Sequence, residues 1–224
     1  MIRIRRTQRL AWVCFAMAVL GGGLAFGSSL KGKLKKNVYY SPANNFSVPV
    51  PSGLMGMRVN DDFDEPGIGL VSFHDDFGNQ QGIHYMVMPA GAQAKLQAQE
   101  TRDAELSRWL KEFALPVWFL HPFPNSRVIH EASDSFEGMT VLLAKLEIPE
   151  GSSTVIFEQG KQRHMDSRRG LVIFTKGRFI YMLTKETVNA FTAAQASKEE
   201  DAGDGWKKFA ESLKPFYKTI VFTE

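Results

Sequence analysis

Leu10 to Phe26, LAWVCFAMAVLGGGLAF, runs seventeen residues without a charge, and Arg3, Arg5, Arg6 and Arg9 stand ahead of it with no acid among them. A basic start, an apolar run and then small residues is the layout of a secretory signal. Ala25 and Gly27 fall at positions −3 and −1 of a cut before Ser28, where the peptidase's shallow pockets need small side chains. The competing reading is an uncleaved anchor, since a bilayer is spanned by roughly 17–25 apolar residues. Gly21, Gly22 and Gly23 weaken a long helix and so favour the cleaved form. Lys31, Lys33, Lys35 and Lys36 follow the run, so four cations stand on each side and the usual orientation signal cancels. The layout of the first 26 residues then decides the expectation: the body lies outside the cytoplasm. An anchor with the body inside is the alternative.

Cys14, within the apolar run, is the only cysteine. The exported body therefore has neither a disulfide nor a thiol nucleophile. A lipidation signal would want small residues before the cysteine, and Trp12 and Val13 precede it. Arg5-Arg6 is followed by Thr7, Gln8 and Arg9, where a twin-arginine signal would want apolar residues.

Of the 27 lysines and arginines, four belong to the leader, which leaves 23 against 24 acidic residues in the body. The basic balance of the whole chain is thus a leader effect. A near-neutral body has no general pull toward nucleic acid or acidic lipid. After residue 27 there remain 197 residues, compatible with one domain or a small pair and enough for a sizeable core. The expected organisation is 1–27 signal peptide or membrane anchor, 28–40 basic polar linker, and 41–224 globular domain.

Along that domain, Phe46, Val48 and Val50 alternate with Ser47 and Pro49 as a half-buried edge strand. Asp61, Asp62, Asp64 and Glu65 before Pro66-Gly67 read as an acidic loop. Ile68 to His74 and Ile83 to Met88 read as a hairpin. From Ala92 to Phe113 the period becomes helical, with Leu106, Trp109, Leu110 and Phe113 on one face and Pro116 as the stop. Trp118 to Pro124 reads as a Pro-interrupted connector. Arg127 to Ser133 and Met139 to Ile148 are two further strands. Leu171 to Leu183, LVIFTKGRFIYML, gives two apolar runs around Lys176-Gly177, a hairpin whose strands should be central because both faces are apolar. The alanine-rich stretch after Thr184 is either a helix or a long loop. Trp206, Phe209 and Leu213 share the face of a last helix that Pro215 should stop, and Thr219 to Phe222 could add a short strand. Hairpins with two or three core-facing helices predict an α+β fold with a largely antiparallel central sheet.

The domain opens with NFSVPVPSG and closes with WKKFAESLKPF. Both resemble the ends of the PsbP/Mog1-like superfamily of small exported α/β/α domains. The resemblance implies a central antiparallel sheet packed between helices and a binding or accessory role more often than catalysis. It carries no catalytic residue onto this chain.

No motif in the sequence points to a cofactor or a metal. His74, His84, His121, His130 and His164 lack the close ligand pairing of a zinc site. His74 and His84 are placed on opposite sheet faces by either simple hairpin register, with His74 opposite Ile83 or Gln81. Asp75-Asp76 is explained by turn propensity. Gly151-Ser152-Ser153-Thr154 does not frame a serine nucleophile, and no glycine run leads to Gly-Lys-Ser/Thr. The densest chemistry is GKQRHMDSRRG, Gly160 to Gly170. Lys161, Arg163, His164, Arg168 and Arg169 there are the candidate contacts for an anion or an acidic partner, since guanidinium forks suit such groups. The plainer account is an exposed loop whose charges are solvated, with Asp166 paired to an arginine.

The expected function is an exported or membrane-tethered cell-envelope domain that acts by binding or as an accessory factor. It would be periplasmic or otherwise extracytoplasmic, in contact with the membrane through residues 10–26 and with an envelope protein partner. Two alternatives are an envelope hydrolase or metal-dependent enzyme, and a structural interaction domain of a membrane assembly.

Overall fold

The computed structural model describes residues 31–53, 56–65, 67–75, 79–152, 155–158, 160–187 and 205–223. The leader and the alanine-rich stretch from 188 to 204 lie outside the described residues.

Seven antiparallel strands form the central sheet: β4 (Arg58–Glu65), β5 (Ile68–His74), β6 (Gln80–Val87), β7 (Arg127–Phe136), β8 (Met139–Ile148), β11 (Ser167–Lys176) and β12 (Phe179–Thr187). Their order is β4-β5-β6-β12-β11-β8-β7, which puts the Leu171 to Leu183 hairpin in the interior of the sheet, as its two-sided apolar pattern predicts. The sheet is built from a three-stranded meander, β4-β5-β6, and two hairpins, β7–β8 and β11–β12. At the β7–β8 turn Glu137 and Gly138 both take positive φ, 48° and 79°, so the turn has two residues and Phe136 remains in the strand.

Two cores follow from strand parity. Val71, Phe73, Ile83, Tyr85, Val172, Phe174, Tyr181 and Leu183 face one way, and Leu142, Leu146, Leu171, Ile173, Ile180 and Met182 the other. The first face is covered by α3 (Gly205–Thr219) and by a small sheet in the order β1-β2-β3-β13. The strands of that sheet are Lys33–Lys35, Val38–Tyr40, Phe46–Pro49 and Val221–Phe222. The second face is covered by α1 (Ala90–Gln97), α2 (Gln99–Trp109) and an eleven-residue π-helix, Leu110–Leu120. The molecule is α+β, with an antiparallel central sheet between two covering layers.

Several sequence expectations are corrected here. Residues 33–40, expected within a polar linker, form β1 and β2. Tyr39 is buried against Phe46 and Phe73, and Lys36 and Asn37 make the turn with positive φ. The acidic segment before Pro66 is the edge strand β4, paired with β5 through a bulge between Asp62 and Glu65. Charge along an edge strand discourages further pairing there. The expected single helix is broken at Ala98, which is extended at ψ 124°. Carbonyls freed by the break are satisfied by Arg102, whose Nε donates to Leu96 O and Nη2 to Gln97 O, and by the Thr101 hydroxyl on Lys95 O.

Neither Pro116 nor Pro215 stops its helix. The Pro116 run continues as the π-helix to Leu120, absorbing Trp118 to Leu120 of the expected connector, and His121 N–H donates to Pro116 O at 3.2 Å. α3 extends past Pro215 to Thr219. An interior proline costs about 3 kcal/mol. Leu110, Ala114 and Phe119 on the first helix, and Leu213 and Phe216 on the second, are buried on both sides of their prolines. Each large apolar side chain buried returns about 1.5–3 kcal/mol, so continuation wins. Gly170 lets α3 sit close: a Cβ there would strike the Phe209 ring.

Candidate functional site

The basic segment named in the sequence divides at Asp166. Upstream, Lys161, Arg163 and His164 lie on β10 (Lys161–His164), which pairs with β9 (Val155–Glu158) in a separate two-stranded hairpin. The register sets Phe157 opposite Gln162 and His164 opposite Val155, so these share one face. Lys161 and Arg163 lie on the other. All four β10 residues are exposed, and Phe157 is 80% exposed, the most exposed large apolar side chain among the described residues. Gly160 carries the turn at φ 77°. The base of the hairpin is held by three contacts. His164 Nδ1 lies 2.8 Å from Ser152 O, Ser152 N–H donates to Met165 O at 3.0 Å, and Glu150 N–H donates to Asp166 Oδ1 at 3.0 Å. Asp166 thus accepts from the backbone here.

Downstream, Arg168 and Arg169 begin β11 and take opposite faces of the sheet. Arg169 turns inward. Its Nη2 donates to Glu186 Oε2 at 3.2 Å, to Gln80 Oε1 at 2.9 Å and to Gly151 O at 3.2 Å, and its Nε reaches Glu186 Oε2 at 3.3 Å. The Glu186 side chain is 0% exposed and that of Arg169 12%. Burial holds the Arg169 guanidinium below its ordinary value, and the Glu186 carboxylate partly offsets this. A guanidinium with this set of acceptors is committed within the fold.

His84 shares the Arg169 face of the sheet, paired with Leu70 and Met182 across its neighbours. Its ring lies 4.7 Å from Trp118 and 5.8 Å from Phe119 of the π-helix, and its Nδ1 is buried with no partner among the described residues. Burial first, and the Arg169 charge second, lower its pKa from 6.5 to about 3. His84 is therefore neutral and sealed. The expected separation from His74 came from the wrong register. The connection runs from Asp75 to Asn79, so His74 pairs with Gln80 and shares a face with His84. The four-residue offset along the strand still keeps them roughly 13 Å apart. Among the described residues no group of three histidine, cysteine, aspartate or glutamate side chains could hold a metal ion. Asp75 instead accepts from the Asn79 backbone N–H at 3.0 Å and side-chain amide at 2.7 Å, the turn chemistry expected of it.

Sequence reading missed two of these residues. Glu186 could have been found by counting back from the Leu171 to Leu183 turn, had it been placed at Gly177-Arg178, where Lys176 pairs with Phe179. Phe157 stands in a short apolar run before a glycine, a pattern that does not tell an exposed residue from a buried one.

No protein family matches the sequence, and no curated protein does. Solved structures are similar to it at low identity. The cyanobacterial PsbP protein CyanoP from Synechocystis sp. PCC 6803 is 9% identical with a TM-score of 0.44, covering 91% of this chain and 99% of that one. LpqN of Mycobacterium tuberculosis, described as involved in cell envelope biogenesis, is 12% identical with a TM-score of 0.34, covering 80% and 83%. A Bacteroides thetaiotaomicron protein is 13% identical with a TM-score of 0.37, covering 84% of this chain, which spans 48% of that protein's length.

Proposed function

We propose that the chain is delivered across a membrane by its first 27 residues and works there as a binding or accessory domain of the cell envelope, with the β9–β10 hairpin as its contact arm. The observation that carries this reading is Phe157, 80% exposed on a hairpin whose other strand presents Lys161, Arg163 and His164 to solvent. The hairpin thus shows an exposed aromatic on one face and Lys161 and Arg163 on the other, and exposed aromatics and arginine are enriched where proteins meet. The hairpin pairs only with itself among the described residues, so its edges are open to a partner strand. Delivery is supported by the basic start, the apolar run and the small residues at 25 and 27.

The test uses the full chain purified from membranes. Phe157→Ser with Lys161→Ser and Arg163→Ser should leave the unfolding free energy within about 0.5 kcal/mol of the parent, as for exposed sites. The same variant should lose the copurifying envelope protein, and raised salt should weaken the parent complex in the same direction. Retention of every partner by the triple variant would remove the hairpin from consideration.

A further inference from the structure

A cavity of about 220 Å³ lies away from the hairpin, where the β11–β12 turn meets the small sheet. Its walls come from three distant parts of the chain: the loop before β3, the turn at Gly177, and the residues around β13. It exists only when the fold is complete. Phe179, Tyr181 and Phe222 supply aromatic walls, with Tyr181 and Phe222 edge to face at 4.9 Å between centroids. Lys176 and Arg178 flank it. Lys176 Nζ stands 5.1 Å from the Phe222 centroid and Arg178 Cζ 5.2 Å from that of Phe179. Neither cation forms an ion pair among the described residues.

Asn45, also lining the cavity, is 2% exposed. Its Oδ1 accepts from the Ser41 hydroxyl at 2.5 Å, and its carbonyl accepts from Thr223 N–H at 2.9 Å and from the Tyr181 hydroxyl at 3.4 Å. Its Nδ2 is a buried donor without a partner. A native fold that leaves a donor unpaired forgoes the usual satisfaction of buried polar groups, and such a group calls for an explanation.

We infer that this cavity binds a small organic carboxylate carried on a flat apolar body. The rings take the body and the two cations take the charge, with Asn45 among the residues that line the same space. A cation is excluded by Lys176 and Arg178. A volume of about 220 Å³ is below the roughly 300–1,000 Å³ of pockets that take drug-sized ligands, which favours a small one. This site is independent of the hairpin and stands or falls separately from it.

The experiment titrates phenylacetate into the full chain and follows the side-chain amide of Asn45 and the ring signals of Tyr181 by NMR, with 2-phenylethylamine as the cationic control. The expected result is a saturable shift at both residues, in a roughly millimolar range suited to a small ligand, and none with the amine. Lys176→Gln with Arg178→Gln should keep the melting temperature and weaken phenylacetate by about tenfold or more, the loss of a charge-assisted contact. No saturable shift, equal binding of the amine, or unchanged affinity in the double variant would overturn the inference. A chain ending at Thr223 should bind the probe at least as well. Binding that appears only after Glu224 is removed would assign the cavity to the chain's own last residue and also overturn it.

Discussion

Arg169 and Glu186 face each other across the β11–β12 pair, 3.2 Å apart, with the carboxylate side chain wholly buried. Breaking such a pair from one side leaves an uncompensated charge in the sheet. Arg169→Ser should therefore cost about 3–5 kcal/mol. Replacing both partners with apolar residues, Arg169→Met with Glu186→Leu, should recover most of that loss, because neither charge is then stranded. Urea midpoints of Arg169→Ser and of the double variant measure this. A double variant no more stable than Arg169→Ser would place the importance of Arg169 in its bonds to Gln80 and Gly151.

His84 gives a pH dependence whose sign follows from its environment. Its folded pKa, about 3, lies below the ordinary 6.5, so the unfolded chain binds the extra proton between those values. The stabilisation is complete above about 6.5 and is lost as pH falls toward 3, at up to about 1.4 kcal/mol per unit. Carboxylates contribute to acid unfolding as well, so the comparison is between the parent and His84→Phe. The variant should show a shallower fall in urea midpoint between pH 6 and pH 4, as expected when one titrating group is removed. Parallel profiles would mean that His84 is hydrated.

Trp109 is 2% exposed and packs against Phe113 and Trp118, at centroid distances of 6.1 and 5.8 Å. Trp109→Ala should cost about 3–5 kcal/mol, read as a lowered denaturation midpoint. An unchanged midpoint would mean that the helical layer does not depend on this contact.

What was legible in the sequence was what periodicity decides. Leu171 to Leu183 carries apolar residues on both faces and lies in the interior of the sheet. Leu142, Ala144, Leu146 and Ile148 point toward one core, and Val141 and Leu143 toward the other. What was illegible depended on competition between local rules and distant packing. Pro116 and Pro215 break helices locally, but the apolar side chains beyond them bury enough area to carry the helices through. Asp61 and Asp62 look like loop residues until β5 supplies a pairing partner. The basic segment was visible as a composition. Its division was not, because the inward turn of Arg169 depends on Glu186 and Gln80, which are far from it in sequence.

Contact through β9–β10 outside the cytoplasm is the proposal on which the function rests. A photo-crosslinking residue at position 157 of the full chain, activated in intact cells, tests both parts at once. The expected result is a crosslinked product with a cell-envelope protein, and loss of that product when Lys161 and Arg163 are changed to serine. Crosslinking to cytoplasmic proteins only, or no product from position 157 at all, would contradict it.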